Sequence, residues 1–533
     1  MIRLAAISLP LALLLGCSTV DSEFGPTIAD LEAMPPIIDS IDIEPQAKFD
    51  IDRQQVIDSF RALAEVTAAG GGSISGDELR RLADLELEAS LDNRLSDDSK
   101  TQQQGLEEAA DAISIYEGYL QRYPHKTDND LILYQLSRAY ALESEIDKSM
   151  AALDRIAHEF PTSKYIDEVE FRRGENLFVA RDYEGAEQAY ATVVKQHPDS
   201  LYYEKSIYKY GWTQFKQGRH EDALASYILL LDYNLEQGKV DEIGLSEQLS
   251  RADQELLEDV LRVVSLSFSY EEDKHYISSY FNANGKRDYE PLLYLKLGEL
   301  YLDKNRVVDG SDLFLAYGSE YPFSAHTPYF HQRAIEIFQQ AGYTDLVLQQ
   351  KVEFVNRYDV ASEYWQLQTP ETLAQLKPNL VLHMSELATH FHALARASKK
   401  SADFQQGAAW YRRFLKSFPE HETAARMNFL LAESLYDAGI FPQAIDEYEK
   451  TAYAYATHAD SAEAGYASLV AFDALFKTTN ASDILLLRRK RIQSAVRFTT
   501  SFPGDARIAD VELPRDNFSN GRISPRQNNR RSA

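Results

Sequence analysis

GENLFVARDYEGAEQAYATVVKQHPDS, residues 174–200, decides how the rest of the chain is read. Gly174 is followed after 12 residues by Ala186, after 16 by Tyr190 and after 24 by Pro198. Apolar residues at helical spacing around these positions predict a pair of helices. Small residues at 174 and 186 let the two backbones approach closely. Tyr190 fills the gap toward the neighbouring pair, and Pro198, which has no N–H, stops the second helix and sets the next turn.

The same offsets return along the chain. Ser137 leads to Ser149, Leu153 and Pro161; Gly211 to Ala223, Tyr227 and Leu235; Gly298 to Gly310, Phe314 and Pro322. Ala395 leads to Gly407, Tyr411 and Pro419, and Ala432 to Ala444, Tyr448 and Ala456. Ile335, Val347, Lys351 and Asp359 depart furthest from the pattern. Starts at 137, 174 and 211 are 37 residues apart, as are 298 and 335, and 395 and 432. These offsets resemble the tetratricopeptide repeat (TPR), although its usual period is about 34. The turns Phe160-Pro161-Thr162-Ser163-Lys164-Tyr165 and His197-Pro198-Asp199-Ser200-Leu201-Tyr202 are similar to those of a variant found in bacterial envelope lipoproteins. The resemblance implies an all-α fold, an α-α superhelical TPR solenoid.

Interruptions set the expected organisation. Residues 106–235 form a first repeat block and 286–503 a second, with an insertion near 359–373. Residues 236–285 read as an inserted, degenerate helical hairpin, with helices near Leu256–Ser269 and His275–Phe281. Gln237–Ser250 and Asp359–Leu373 are candidate specificity elements, because loops carry function more often than repeats. Pro514 breaks a helix beginning near Ala506, so residues 504–533, ending in an Asn/Arg-rich run, are expected as a disordered tail. No polar capping helix follows the last repeat, which is what a shortened version of a longer repeat protein would show.

Residues 17–105 are acidic, contain Pro35-Pro36 and Gly70-Gly71-Gly72, and are expected to form a disordered N-terminal tether with short helices near Gln54–Val66 and Gly76–Leu91. Before it, residues 1–16 have a basic start and an apolar run from Leu4 to Leu15, the shape of a secretory signal and too short to span a bilayer. Leu14-Leu15-Gly16-Cys17 contains the only cysteine of the 533-residue chain and resembles the lipobox of bacterial lipoproteins. That resemblance implies cleavage before Cys17 and lipidation of its thiol, as with palmitate, and Ser18 after it implies the periplasmic face of the outer membrane. One cysteine excludes an intramolecular disulfide.

The formal net charge of −28 argues against nucleic acid as a partner. Phosphate-loop, dinucleotide, zincin, nucleophile-elbow and paired-cysteine motifs are absent from the sequence. His383, Glu386 and His390 fall on one helical face, a geometry able to hold a transition metal, with His392 close by. The reading preferred over a metal site is a set of polar positions on a repeat helix, and no cofactor is expected. Arg488-Arg489-Lys490-Arg491 stands out against the acidic chain as a basic cluster. The expected function is a non-enzymatic, lipid-anchored scaffold that binds protein partners in cell-envelope assembly or organisation. The alternative is a component assisting β-barrel assembly in the outer membrane. A peptidoglycan enzyme ranks below both, because it would need a globular catalytic domain that no non-repeat segment is long enough to supply.

Overall fold

The computed structural model describes residues 53–69, 74–95, 98–271, 273–478 and 484–511. The signal segment, Cys17, Pro35-Pro36, Gly70–Gly72 and the stretch from 512 to 533 lie outside the described residues. Within them are twenty-two α-helices and one short 3-10 helix. The chain divides after Ser226 into two compact units.

The first unit opens with α1 (Arg53–Ala69), α2 (Gly76–Arg94) and α3 (Ser99–Arg122). Ser75 and Glu78 form a capping box: Ser75 Oγ accepts the Glu78 N–H at 3.3 Å, and Glu78 Oε2 accepts the Ser75 N–H at 2.9 Å. The expected tether therefore needs correction over this stretch. Ala83 and Leu87 of α2 join Ala112, Tyr116 and Tyr119 of α3 in one core with Ile132 and Leu136, and Ile57 of α1 is buried on Leu82 and Leu85. Apolar residues at helical spacing suffice for this packing, because the acids lie mostly on the outer faces or are satisfied by neighbours. Tyr116 Oη, for example, donates to Asp84 Oδ1 at 2.7 Å.

One acid is not so placed. Glu86 is 1 % exposed, with Oε1 2.7 Å from Arg61 Nη2 of α1, yet neither carboxylate oxygen has an aligned hydrogen bond. Burial pushes its carboxyl up to about 7; Arg61 opposes the shift, and Asp111 and Glu108 add to it. The docked carboxyl thus keeps a proton at pH values where a solvated glutamate has lost it. Packing of α1 over Glu86 is then most stable below pH 4.5 and weakens as pH rises through 7. At about 1.4 kcal/mol per pH unit, the full loss is on the order of 3 kcal/mol. Hydrogen exchange over residues 53–69 is expected to accelerate from pH 5 to 8 more in the parent than in Glu86→Gln. An identical response in both proteins would dismiss the assignment.

The remainder of the unit is a stack of helical hairpins: α4 (Asn129–Leu142) with α5 (Ile146–Glu159), α6 (Ile166–Val179) with α7 (Tyr183–Gln196), and α8 (Tyr203–Lys216) with the first turns of α9 (His220–Glu236). Each hairpin reverses through a left-handed residue, Ser144, Arg181 or Gly218. The N–H groups that follow return to the first helix, as in Glu145 N to Tyr140 O at 2.8 Å and Asp182 N to Leu177 O at 2.9 Å. Successive hairpins share a joint. Ser163 and Ser200 accept the N–H groups of Tyr165 and Tyr202 at 3.2 and 3.0 Å. Their hydroxyls donate to Asp130 and Asp167 of the preceding hairpin, both at 2.6 Å.

The second unit holds the end of α9 and a loop closed by an antiparallel bridge between Val240 and Leu245. Next come α10 (Arg251–Ser269), α11 (Tyr276–Asn284), α12 (Glu290–Asp303), α13 (Val307–Glu320), α14 (Thr327–Gln340) and α15 (Thr344–Tyr358). After α16 (Glu363–Leu367), α17 (Pro370–Ser398) runs for 29 residues through Pro378. The unit ends with α18 (Ser401–Ser417), α19 (Ala424–Asp437), α20 (Phe441–Tyr453), α21 (Ser461–Phe476) and α22 (Ile484–Ser501). The tail expected from residue 504 needs correction as far as Val511: Ala506–Asp510 form the 3-10 helix, and Ile508 and Val511 pack against Leu469 and Phe498. Arg507 fixes this turn by pairing with Asp505 at 2.7 Å and with Glu463.

Candidate functional site

At three helix pairs the small residues make close packing obligatory. A Cβ on Gly174 would stand 2.6 Å from the Tyr190 ring, and one on Gly298 would stand 2.2 Å from Phe314. A Cβ on Gly407 would stand 3.2 Å from the backbone nitrogen of His392. A Cβ on Gly310 would stand 3.3 Å from the Gly298 carbonyl oxygen. Ser137 and Ser149 replace the small pair and spend their hydroxyls on backbone carbonyls, Ser149 Oγ on Ser137 O at 2.8 Å. Ala186, Ala223, Tyr227, Ala395, Tyr411, Ala432, Ala444 and Tyr448 are all buried, as is Gly211. Pro161, Pro198, Pro322 and Pro419 are exposed, each one residue past the cap of a second helix. Tyr190 and Tyr448 donate their buried hydroxyls to Glu175 and Glu433, the residue after the small one in each first helix. That acid is visible in the sequence, but the offsets alone gave no reason to look for it.

Where the pattern departs, packing changes. Ile335 fills the first-helix position itself and is 1 % exposed. Lys351 stands where Tyr190 and Phe314 stand elsewhere, and it reaches outward to Glu386 of α17 at 2.7 Å. Phe354 closes the space between α15 and α17 beside His383, but no ring does so at the Lys351 position. An open cleft of about 670 Å³ remains, floored by Val347, Leu348, Leu387 and Ala393 and edged by Gln339, Lys351, Glu386, Thr389 and His390. An apolar floor with a few polar groups at its edge suits the side chains of a protein ligand. A smaller cleft of about 360 Å³ lies beside the 243–249 loop, against Gln254, Glu258 and Lys296.

The metal pattern does not assemble. His383 is buried, its Nε2 2.7 Å from Gln332 Oε1 and its ring edge-on to Phe354. With Nε2–H donating to that amide oxygen, Nδ1 carries the lone pair, 3.6 Å from Glu386. Burial and then Lys351 hold this imidazole down to about 4, against the pull of Glu386. Glu386 is committed to Lys351, and His390 is exposed at the cleft edge beside Phe391. His392 points elsewhere, 3.3 Å from Tyr411 Oη. Among the described residues no group of three His, Cys, Asp or Glu side chains is placed to hold a metal ion.

Both interrupted segments are tied down. Asp241 Oδ1 accepts the N–H groups of Ile243 and Gly244 at 2.9 and 2.7 Å, and the Glu242 carbonyl accepts the Leu292 N–H at 3.0 Å. Asp359 receives Arg413 Nε at 2.6 Å and Ser417 Oγ at 2.7 Å. Tyr364 Oη donates to Ser324 O at 3.1 Å.

Comparison with known proteins gives a tetratricopeptide repeat family match over residues 171–232 and 392–462. Among solved structures, 86% of this chain is similar to 62% of a chain in the structure of Naa15/Naa10 bound to HypK-THB, at 12% identity and a TM-score of 0.29. The chain thus spans less than two thirds of that protein's length. A second likeness pairs 55% of this chain with 98% of the C-terminal part of a TPR repeat-containing protein from Cytophaga hutchinsonii, at 11% identity and a TM-score of 0.22. No curated protein matches the chain. The fold is an all-α TPR solenoid, and repeats of this type suggest a protein–protein interaction scaffold.

Proposed function

We propose that the chain is a lipid-anchored periplasmic scaffold of the cell envelope, tethered to the outer membrane at Cys17. It binds an extended or helical segment of a partner protein in the cleft between α15 and α17. The lipobox-like Leu14-Leu15-Gly16-Cys17 supports the location. The observation that carries the binding role is the apolar floor of Val347, Leu348, Leu387 and Ala393, left open where the aromatic of the repeat is replaced by Lys351. Groove binding of this kind takes its affinity from a few apolar anchors.

A photoreactive residue at Leu348 is expected to crosslink one partner in the envelope, and Leu348→Asp to weaken that complex by about ten- to a hundredfold, the cost of one anchor. Equal binding by the Asp variant would move the docking site away from the cleft. Anchoring is tested separately with Cys17→Ser, which is expected to leave the membrane fraction and to lose palmitate labelling. Unchanged levels of outer-membrane barrels after depletion favour a scaffold over a barrel-assembly component; a broad fall would favour the latter.

A further inference from the structure

The basic cluster singled out in the sequence falls on α22. This helix contains Arg488, Arg489, Lys490, Arg491 and Arg497 and no acidic residue, in a chain of net charge −28. Its inner side is fixed by Ser494, Ala495 and Phe498, the last two packed with Leu469 of α21. Two of its cations are committed inward: Arg491 pairs with Asp473 at 2.6 and 3.1 Å, and the Arg497 guanidinium lies 3.9 Å over the Tyr453 ring. Arg488, Arg489 and Lys490 are exposed and have no ion-pair partner among the described residues.

Four large apolar side chains share the outward side. Leu485 is 76 % exposed, Leu486 61 %, Val496 50 % and Ile492 37 %. Leu485, Arg489, Ile492 and Val496 follow helical spacings of four, three and four, so they form a single stripe. Single exposed aliphatics are ordinary, but an apolar stripe interleaved with unpaired cations is not. Long basic side chains can lay their stems along such a stripe and keep their charges at its margin. An amphipathic helix of this make-up lies in the plane of a membrane interface, drawn by anionic headgroups and held by its apolar side chains.

We propose that the outward face of α22, formed by Leu485, Arg488, Arg489, Lys490, Ile492 and Val496, docks on an anionic lipid surface. A convex ridge offers no pocket for a partner's side chain but fits a deformable headgroup layer. The net charge of the chain is repelled by such a surface, so attraction at α22 also sets which end of the described part of the second unit approaches the bilayer. The proposal stands apart from the Cys17 anchor and does not depend on it.

The test uses the full chain carrying Cys17→Ser, so that no acyl chain contributes. Sedimentation with vesicles of phosphatidylcholine alone is expected to leave the protein in solution. Vesicles with about one third phosphatidylglycerol are expected to carry it down, less so as salt rises. Arg488→Glu/Arg489→Glu/Lys490→Glu should weaken that binding at least tenfold, and Leu485→Ser/Leu486→Ser several-fold; all five positions are at the surface, and circular dichroism checks that the variants fold. No binding to anionic vesicles overturns the proposal, as does binding that survives charge reversal. Unchanged binding by the Leu485→Ser/Leu486→Ser protein overturns it too, because purely ionic attraction needs no apolar stripe. Capture by immobilised polyglutamate without vesicle binding would instead assign the face to an acidic protein.

Discussion

Gly298→Ala is expected to destabilise the chain by about 1–3 kcal/mol, the cost of overpacking a tight core. Replacing a glycine inside a helix by alanine is otherwise favourable by about 1 kcal/mol. The sign reverses here because the new Cβ would lie 2.2 and 2.3 Å from Cε1 and Cζ of Phe314, a ring with no exposed surface. That ring is in turn packed against Phe330, with centroids 5.4 Å apart, so it cannot swing aside without disturbing α14. Gly118 supplies the control. It lies within α3, and a Cβ there would meet nothing within 4 Å. Gly118→Ala should therefore stabilise by about 0.5–1 kcal/mol. Urea denaturation of both proteins reads the contrast. A double-mutant cycle with Phe314→Leu should show the Gly298 penalty shrinking as the ring is removed. If both alanine variants shift stability in the same direction, close approach of α12 and α13 is not what Gly298 provides.

Acidification should act on the second unit through three buried histidines. Burial, and to a lesser degree Arg357 and His383, depress the His331 imidazole to about 3. His383 is lowered to about 4 by burial and Lys351, and His392 to about 4 by burial and Arg396. His331 Nε2 faces Gln350 Oε1 at 3.1 Å, and His392 Nδ1 faces Tyr411 Oη at 3.3 Å. In all three rings the second nitrogen is left without a hydrogen bond. An unfolded chain protonates these rings near 6.5, whereas the folded chain resists. Their contribution is therefore complete above 6.5 and is lost as pH falls toward 4. At pH 5 the loss is about 2 kcal/mol per histidine. His383→Gln keeps a donor for the Gln332 oxygen and cannot become charged, so it should flatten the fall between pH 7.5 and 5 by about that amount. A slope equal to that of the parent would show that His383 is not neutral in the folded chain. Glu86 in the first unit has the opposite sign over part of the same range, so a single global pH optimum is not expected.

How much of this was legible beforehand depends on what kind of residue carries it. Offsets of 12 and 16 can be read because close packing leaves few alternatives to a small residue or a ring at those positions, and the offset of 24 because proline, lacking an N–H, follows a helix rather than continuing it. The departure at Ile335, Val347 and Lys351 is visible in the sequence, but the cleft beside them is not, and the candidate specificity elements fall at 237–250 and 359–373 instead. The location of the cleft could not be derived, because that depends on Lys351 reaching Glu386 rather than folding back. The helices near 54–66 and 76–91 were legible, but their packing into a core was not, for a different reason. A composition rich in Asp and Glu masked the apolar spacing of Leu79, Leu82, Ala83 and Leu87, and a mean over the segment does not show which side the acids occupy. The turns illustrate a third limit. His421 and His458 use Nδ1 to accept the N–H two residues on, at 3.3 and 3.2 Å, the role played by Ser163, Ser200 and Ser324 in other joints. A side-chain acceptor is all the turn requires, so residue identity changes while the role persists.

The joint between hairpins in the first unit has a consequence for how such a chain changes length. Asp130 receives Ser163, and 37 residues later Asp167 receives Ser200 with the same atoms at the same 2.6 Å. A hairpin such as α6–α7 is thus preceded by the serine that the earlier hairpin's aspartate receives, and begins with the aspartate that receives the next serine. Excising residues 167–203 or copying them in tandem would remove or add one aspartate together with the serine it receives, leaving no orphaned carboxylate at the splice. Recombination between such modules is chemically silent at the seam, so the number of hairpins can drift while every surviving junction stays satisfied.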